Sequence, residues 1–215
     1  MGLRDIITGR HEVKGPAPDK LFAITTAYVT LQSEHGIDPA GKAAIVFQAL
    51  ATSEFEATLR EMEEVVEATG GESGTSVQTV DDSYGYRWMV LSNPDESSSV
   101  EDLAVGINAV AGSIETAGHG DRLLCAVFAF ADAQKRPVYF IYNYKRGYWY
   151  PFVPVSAGGG DGAPGERATE RELQLKAQMA SDLPIEPELE RWFPLWGIPS
   201  QLGEGGPSTS SPSQA

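Results

Sequence analysis

An α+β domain with a largely antiparallel sheet is the fold class this sequence predicts, and three observations predict it. Stretches with apolar residues three and four apart alternate with short apolar runs rich in β-branched and aromatic residues. The runs in the middle and second half of the chain are joined by tight turns and not by helical crossovers, so neighbouring strands pair antiparallel. The chain has 215 residues, 41% of them hydrophobic, which suits one domain with a full core and is short for two. The expected order is α-β-α-β-β-α-β-β-β-α, over a single domain at 1–199 that holds a Gly-rich linker at 156–165, followed by a disordered tail at 200–215.

The first helix is expected over Leu21 to His35, where Leu21, Ile24, Tyr28 and Leu31 recur on one face and Gly36 stops it. Lys42 to Leu50 is an almost unbroken apolar run and reads as a strand covered on both faces. Ser53 with Glu56 forms a capping box for the next helix. Phe55, Leu59, Met62 and Val66 lie on one side of it, glutamates elsewhere, and Gly70 with Gly71 ends it. Ser76 to Val80 and Tyr84 to Leu91 read as a hairpin around Asp81-Asp82-Ser83, with Tyr84, Tyr86 and Trp88 on one face. Ser98 and Glu101 cap a third helix with the stripe Val100, Leu103, Ile107, Val110 and Ile114. Three strands follow, at Arg122 to Phe130, Pro137 to Tyr144 and Tyr148 to Val155. Pro151 and Pro154 place the last at a sheet edge. Glu166 to Asp182 resumes helical spacing, Pro184 and Pro187 break it, and after Leu202 no large apolar residue remains to support order.

Composition excludes several functions. Thirty acidic against sixteen basic side chains leave a formal charge of -14, which repels phosphate backbones, so no nucleic-acid partner is expected. The longest apolar run, Leu123 to Ala131, is about half of the ~20 residues of a membrane-spanning helix. A single cysteine, Cys125, forms no internal disulfide and fits a cytoplasmic setting. Residues 1–10 are expected to carry no export or lipidation signal. Leu3, Ile6 and Ile7 beside Arg4 and Arg10 give them at most a weak peripheral membrane contact.

The apparent chemical motifs dissolve on inspection. Gly36, Gly41 and Lys42 imitate a P-loop, but Ala43 stands where a hydroxyl is needed, and the stretch leaves a helix to enter a strand. Gly160, Gly162 and Gly165 spell a dinucleotide fingerprint with Pro164 inside the loop and no parallel strand after the helix. His11, His35 and His119 are too scattered to hold a metal, and the last two sit by helix-ending glycines. Asp81-Asp82 and Asp95-Glu96 read as turn carboxylates. No catalytic residue, metal or cofactor is assigned, and the protein is expected not to be an enzyme.

The informative stretch is Pro137 to Val155, which carries eight of the chain's twenty aromatics; from Ala133 to Gly160 there are four basic residues and no acid. Two readings stay open. The aromatics fill the sheet core, or they and their cations bind an anionic ligand or a partner.

Tyr84-Gly85-Tyr86-Arg87-Trp88, the stretch YFIYNYKRGYWYPF at 139–152 and Pro194-Leu195-Trp196-Gly197-Ile198-Pro199 together resemble the PspAB family, proteins associated with phage shock protein A. The likeness extends over about residues 1–199. It implies a cytoplasmic protein, with a possible place at the membrane, linked to envelope stress and acting with phage shock protein A and an HtpX-like membrane peptidase. The leading expectation is a non-enzymatic adaptor or regulator that binds protein through the aromatic strands or the Trp192–Trp196 segment. The alternatives are a small-molecule or nucleotide-binding enzyme with Arg87, Tyr142 and Lys145 on an anion, and a peripheral membrane sensor. Tyr144, Arg146 and Trp149 complete the candidate binding residues.

Overall fold

Apolar spacing and glycine stops set the helices of the computed structural model, which describes residues 18–70, 74–94, 99–156 and 165–203. The first helical stretch is two helices, α1 (Pro18–Phe22) and α2 (Ile24–His35). At the joint the hydroxyls of Thr25 and Thr26 donate to the carbonyls of Phe22 and Ala23, the kind of local bond that competes with the helical ladder. Gly36 ends α2 in the left-handed conformation (φ 60°), with its N–H on the Leu31 carbonyl. Then come β1 (Asp38–Gln48), α3 (Ser53–Gly70), β2 (Ser76–Asp81), β3 (Tyr86–Ser92), α4 (Ser99–Thr116), β4 (Leu123–Ala131), β5 (Pro137–Asn143) and β6 (Tyr148–Phe152). A two-stranded ribbon, β7 (Pro154–Ser156) with β8 (Glu166–Arg167), leads into α5 (Thr169–Gln178).

The main sheet has the order β2-β3-β1-β4-β5-β6, and every neighbouring pair is antiparallel. This is the α+β single-domain class expected. β1 starts four residues before Lys42, because the register shifts between Pro39 and Lys42 and Gly41 (φ 65°) takes the left-handed turn there. The N-terminus of α3 differs from expectation. Thr52, not Ser53, caps it, accepting the Phe55 N–H at 3.3 Å, and Glu56 turns away to an arginine on β3.

Alternation along the strands separates two faces. Ile45, Phe47, Met89, Leu91, Phe128, Phe140 and Tyr142 point to the helices and pack on α2, α3 and α4. Val46, Trp88, Val90, Cys125, Val127, Tyr139, Ile141, Tyr150 and Phe152 point outward. No long helix covers this outer face. Pro184, Pro187, Pro194 and Pro199 keep residues 184–203 from forming one, and an extended strap crosses the sheet instead, seating Trp192, Leu195, Trp196, Ile198 and Leu202.

The strap begins by closing the sheet edge. β6 is the edge strand, as its prolines require, and the Trp149 N–H donates to the Pro184 carbonyl while the Glu186 N–H donates to the Trp149 carbonyl. At its far end Ser200–Leu202 form a 3-10 turn in which Leu202 is fully buried. The tail expected from residue 200 therefore does not begin there, since burying one leucine and closing one turn suffices to order these residues. The rest of the expected tail, most of the Gly-rich linker and residues 1–10 lie outside the described residues. A chain ended after Ser200 is expected to lose about 2 kcal/mol, the worth of burying one leucine, and to melt several degrees lower in calorimetry than a chain ended after Gly203.

Candidate functional site

The outer face carries one lateral row of residues in register, Trp88 on β3, Val46 on β1, Cys125 on β4 and Asn143 on β5. The strap, from Phe193 to Gly197, packs against the cluster that holds this row, of which Trp88, Val46 and Cys125 are buried. Between them lies a groove with a cavity of about 430 Å³, walled by Tyr84, Tyr86, Trp88, Tyr150, Phe193 and Trp196. Its aromatic rim faces solvent. Tyr84 is 64% exposed and Phe193 59%, unusual values for large apolar side chains set side by side.

Three local arrangements hold the groove open and rigid. Asp82, in the β2–β3 turn, accepts the N–H groups of Tyr84 (2.8 Å) and Tyr86 (2.9 Å) through Oδ1 and the Trp88 indole N–H (2.9 Å) through Oδ2. The strap is tied on the other side, where the Tyr150 hydroxyl donates to the Phe193 carbonyl and the Trp192 ring stacks on Tyr150 at 6.2 Å. Glycine permits the closest approaches. A Cβ on Gly165 would lie 2.4 Å from the Trp196 ring, which sits edge-on to Phe152, and one on Gly197 would press on Tyr84 at 3.1 Å.

Of the residues singled out in the sequence, Trp196 and Lys145 line the groove. The others take structural places. Arg87 points to the helical face, where Asp81 (2.6 Å) and Glu56 (2.7 Å) neutralise it; the hydrogen bond from Arg87 holds the Asp81 carboxyl below its ordinary range, against a smaller effect of burial. Tyr142 and Trp149 are fully buried beneath the helices, and burial pushes the Tyr142 phenol up to about 12. Tyr144 is buried beside them, and its hydroxyl has no hydrogen-bond partner among the described residues. Arg146 donates to Glu186 through Nε (2.7 Å) and Nη2 (3.1 Å). Burial would raise the Glu186 carboxyl, but Arg146 and the Glu188 N–H outweigh it and hold it low. Trp192 is buried, with its indole N–H on the Glu186 carbonyl. Arg87, Tyr142 and Lys145 therefore do not meet around one ligand, because the first two face the helices and the third lies at the outer groove.

The basic island is also smaller than its sequence suggests. Asp132 neutralises Arg136 and Glu186 neutralises Arg146, so of its four cations only Lys135 and Lys145 stand without a carboxylate among the described residues. Cys125, on the groove floor, has its thiol pushed up to about 12 by burial, which leaves it protonated and unreactive. The apparent phosphate loop is a helix stop and a strand, at Gly36 and Gly41-Lys42. His119 lies edge-on to Phe55 at 5.1 Å. Among the described residues no group of three or more His, Cys, Asp or Glu side chains is placed to hold a metal ion. No helix among them is long and apolar enough to cross a membrane.

Sequence reasoning missed Tyr84, Tyr86 and Asp82 as groove residues, while Phe193 lies within the Trp192–Trp196 segment it offered for docking. The shared face of Tyr86 and Trp88 was a usable signal. The strap that makes that face into a wall was not visible, because no periodicity marks an extended segment that pairs only once with the sheet.

Comparison with known families agrees with the motifs on the outer face and in the strap. The family model PspAB, described as PspA associated protein B, matches residues 1–200. No curated protein and no solved structure matches the chain. With a match that spans the whole sheet, its helices and most of the strap, the chain belongs to the PspA associated protein B family.

Proposed function

We propose that this protein is a non-enzymatic adaptor of the phage shock system that docks a partner protein in the outer-face groove. The observation that supports it best is the solvent-facing aromatic wall of Tyr84, Tyr86 and Phe193 around an apolar floor. Rigid aromatics lose little conformational entropy on binding and bury large areas, which is why they anchor protein interfaces. The family's description makes PspA the first partner to test. An HtpX-like membrane peptidase is a second partner class, and work beside a cytoplasmic membrane surface fits both.

An enzyme of unknown reaction is the less favoured reading, since the groove's one carboxylate is held by three hydrogen bonds and its one thiol is buried and protonated. Phe193→Ala separates docking from structure. Its side chain is exposed, so the melting temperature is expected to stay within about 2 °C of wild type, a surface-substitution effect. Affinity for PspA in titration calorimetry is expected to fall by about tenfold or more, the hot-spot range. Unchanged affinity would move the docking site elsewhere.

A further inference from the structure

A second cavity lies under the last residues of the strap, and its chemistry differs from that of the groove. Pro154 turns the chain out of β6, and α5 returns over the same edge, where the Ala168 N–H donates to the Val153 carbonyl at 2.8 Å. This corner, the β4–β5 turn and the end of the strap enclose about 400 Å³. That volume lies within the range of small-molecule sites, about 300–1,000 Å³. Val138, Tyr139 and Val153 form its buried floor, while Leu195, Trp196 and Ile198 wall it and stay half-buried. Only Leu195 and Trp196 are shared with the aromatic groove.

Two polar groups of this lining lack the partners their positions call for. Tyr139 is 2% exposed, with its ring stacked on Phe152, and its hydroxyl ends beside Gly203 with no hydrogen-bond partner among the described residues. A buried hydroxyl left unpaired costs free energy that an acceptor on a ligand recovers. Burial pushes this phenol up to about 12, so it stays a donor at neutral pH. Arg171 is half-buried in the first turn of α5, makes no ion pair among the described residues, and donates only to Gln174 at 3.3 Å. An arginine there gains nothing from its own helix, whose dipole favours acids at that end.

The remaining charges of the lining cancel. Asp132 pairs with Arg136 at 2.7 Å, so Arg171 leaves the cavity one net positive charge in a chain of formal charge -14. An anion is drawn to this corner and repelled by most of the surface. The guanidinium fork matches a carboxylate, and the aliphatic walls match a hydrocarbon chain.

We propose that this cavity binds a medium-chain fatty acid or similar aliphatic monocarboxylate. Its carboxylate lies on the Arg171 guanidinium with the Tyr139 hydroxyl as second donor, and its chain lies against Val153, Leu195 and Ile198. The site stands apart from the docking reading and does not depend on it.

Octanoate is the probe, with octan-1-ol as its uncharged match, in titration calorimetry on the full chain. Octanoate is expected to bind one to one and about tenfold more tightly than the alcohol, the scale of a charge-assisted hydrogen bond. Arg171→Gln is expected to abolish that preference. Tyr139→Phe keeps the stacked ring and is expected to weaken octanoate binding about fivefold, the worth of one neutral hydrogen bond. Circular dichroism checks that both variants fold. Absence of saturable octanoate binding overturns the proposal, as does equal affinity for the two probes or a preference that Arg171→Gln leaves unchanged. Loss of octanoate binding in Phe193→Ala would place the probe in the aromatic groove and overturn it as well. Binding to phosphatidylglycerol vesicles that depends on Arg171, without octanoate binding, would also overturn it and make this arginine a surface lipid contact.

Discussion

Trp149→Ala is expected to cost about 3–5 kcal/mol, the range for deleting a buried large aromatic, and to lower the melting temperature by roughly 10 °C. Several elements meet on this one side chain. Trp149 is fully buried in β6, leans on Phe128 (5.7 Å) and Tyr142 (5.2 Å), and donates its indole N–H to the Lys20 carbonyl at 2.7 Å. Its backbone carries the strap through Pro184 and Glu186. Truncation therefore opens a cavity, leaves the α1 carbonyl of Lys20 unpaired and loosens the edge where the strap begins. Trp149→Phe should recover most of the packing and not the hydrogen bond, so an intermediate value is expected by chemical denaturation. Equal stability of all three proteins would contradict this account of the edge.

Glu172→Ala is expected to cost about 3 kcal/mol or more. Glu172 is 1% exposed, accepts the Val153 N–H at 2.8 Å, and pairs with Arg167 through Nε at 2.7 Å. Removing one member of a buried pair leaves the other charge without compensation, which costs more than the pair is worth. The consequence reaches the groove. Arg167 also donates to the Trp192 carbonyl at 2.9 Å and lies over the Phe152 ring, so a displaced Arg167 frees the middle of the strap. Calorimetry reads the stability loss, and Trp192 and Trp196 fluorescence is expected to shift to longer wavelength as the strap opens. A melting temperature within 1 °C of wild type would show that Arg167 finds another partner.

Much of the fold was legible because its signals are local. The apolar runs at 42–50, 122–130 and 137–144 became β1, β4 and β5, and the stripe from Val100 to Ile114 became the buried side of α4. Prolines at 151 and 154 placed β6 at the edge. What failed depended on competition between partners. Ser53 and Glu56 have capping-box spacing, yet Thr52 is one residue better placed and Glu56 gains a charged partner in Arg87. Leu202 fell inside the expected tail from residue 200 because its burial comes from the outer face of the sheet, far away in sequence.

The site was legible only in part, for a geometric reason. Alternation in Tyr139 to Tyr144 shows that Tyr139 and Tyr142 point to opposite faces, and it does not say which face the helices take. Three of the candidate aromatics, Tyr142, Tyr144 and Trp149, went under the helices. Trp196 went to the groove with Phe193, beside Tyr84 and Tyr86, and no spacing connects the strap pair to the tyrosines of the hairpin.

Hydrogen exchange of this protein with and without PspA tests the central claim most directly, since it maps the covered surface without altering a residue. The account predicts slowed exchange confined to the β2–β3 turn around Tyr84–Trp88, the β5–β6 turn around Lys145 and the strap at Phe193–Gly197. Protection confined to the glutamate-rich outer side of α3, with the groove exchanging as in the free protein, would contradict it.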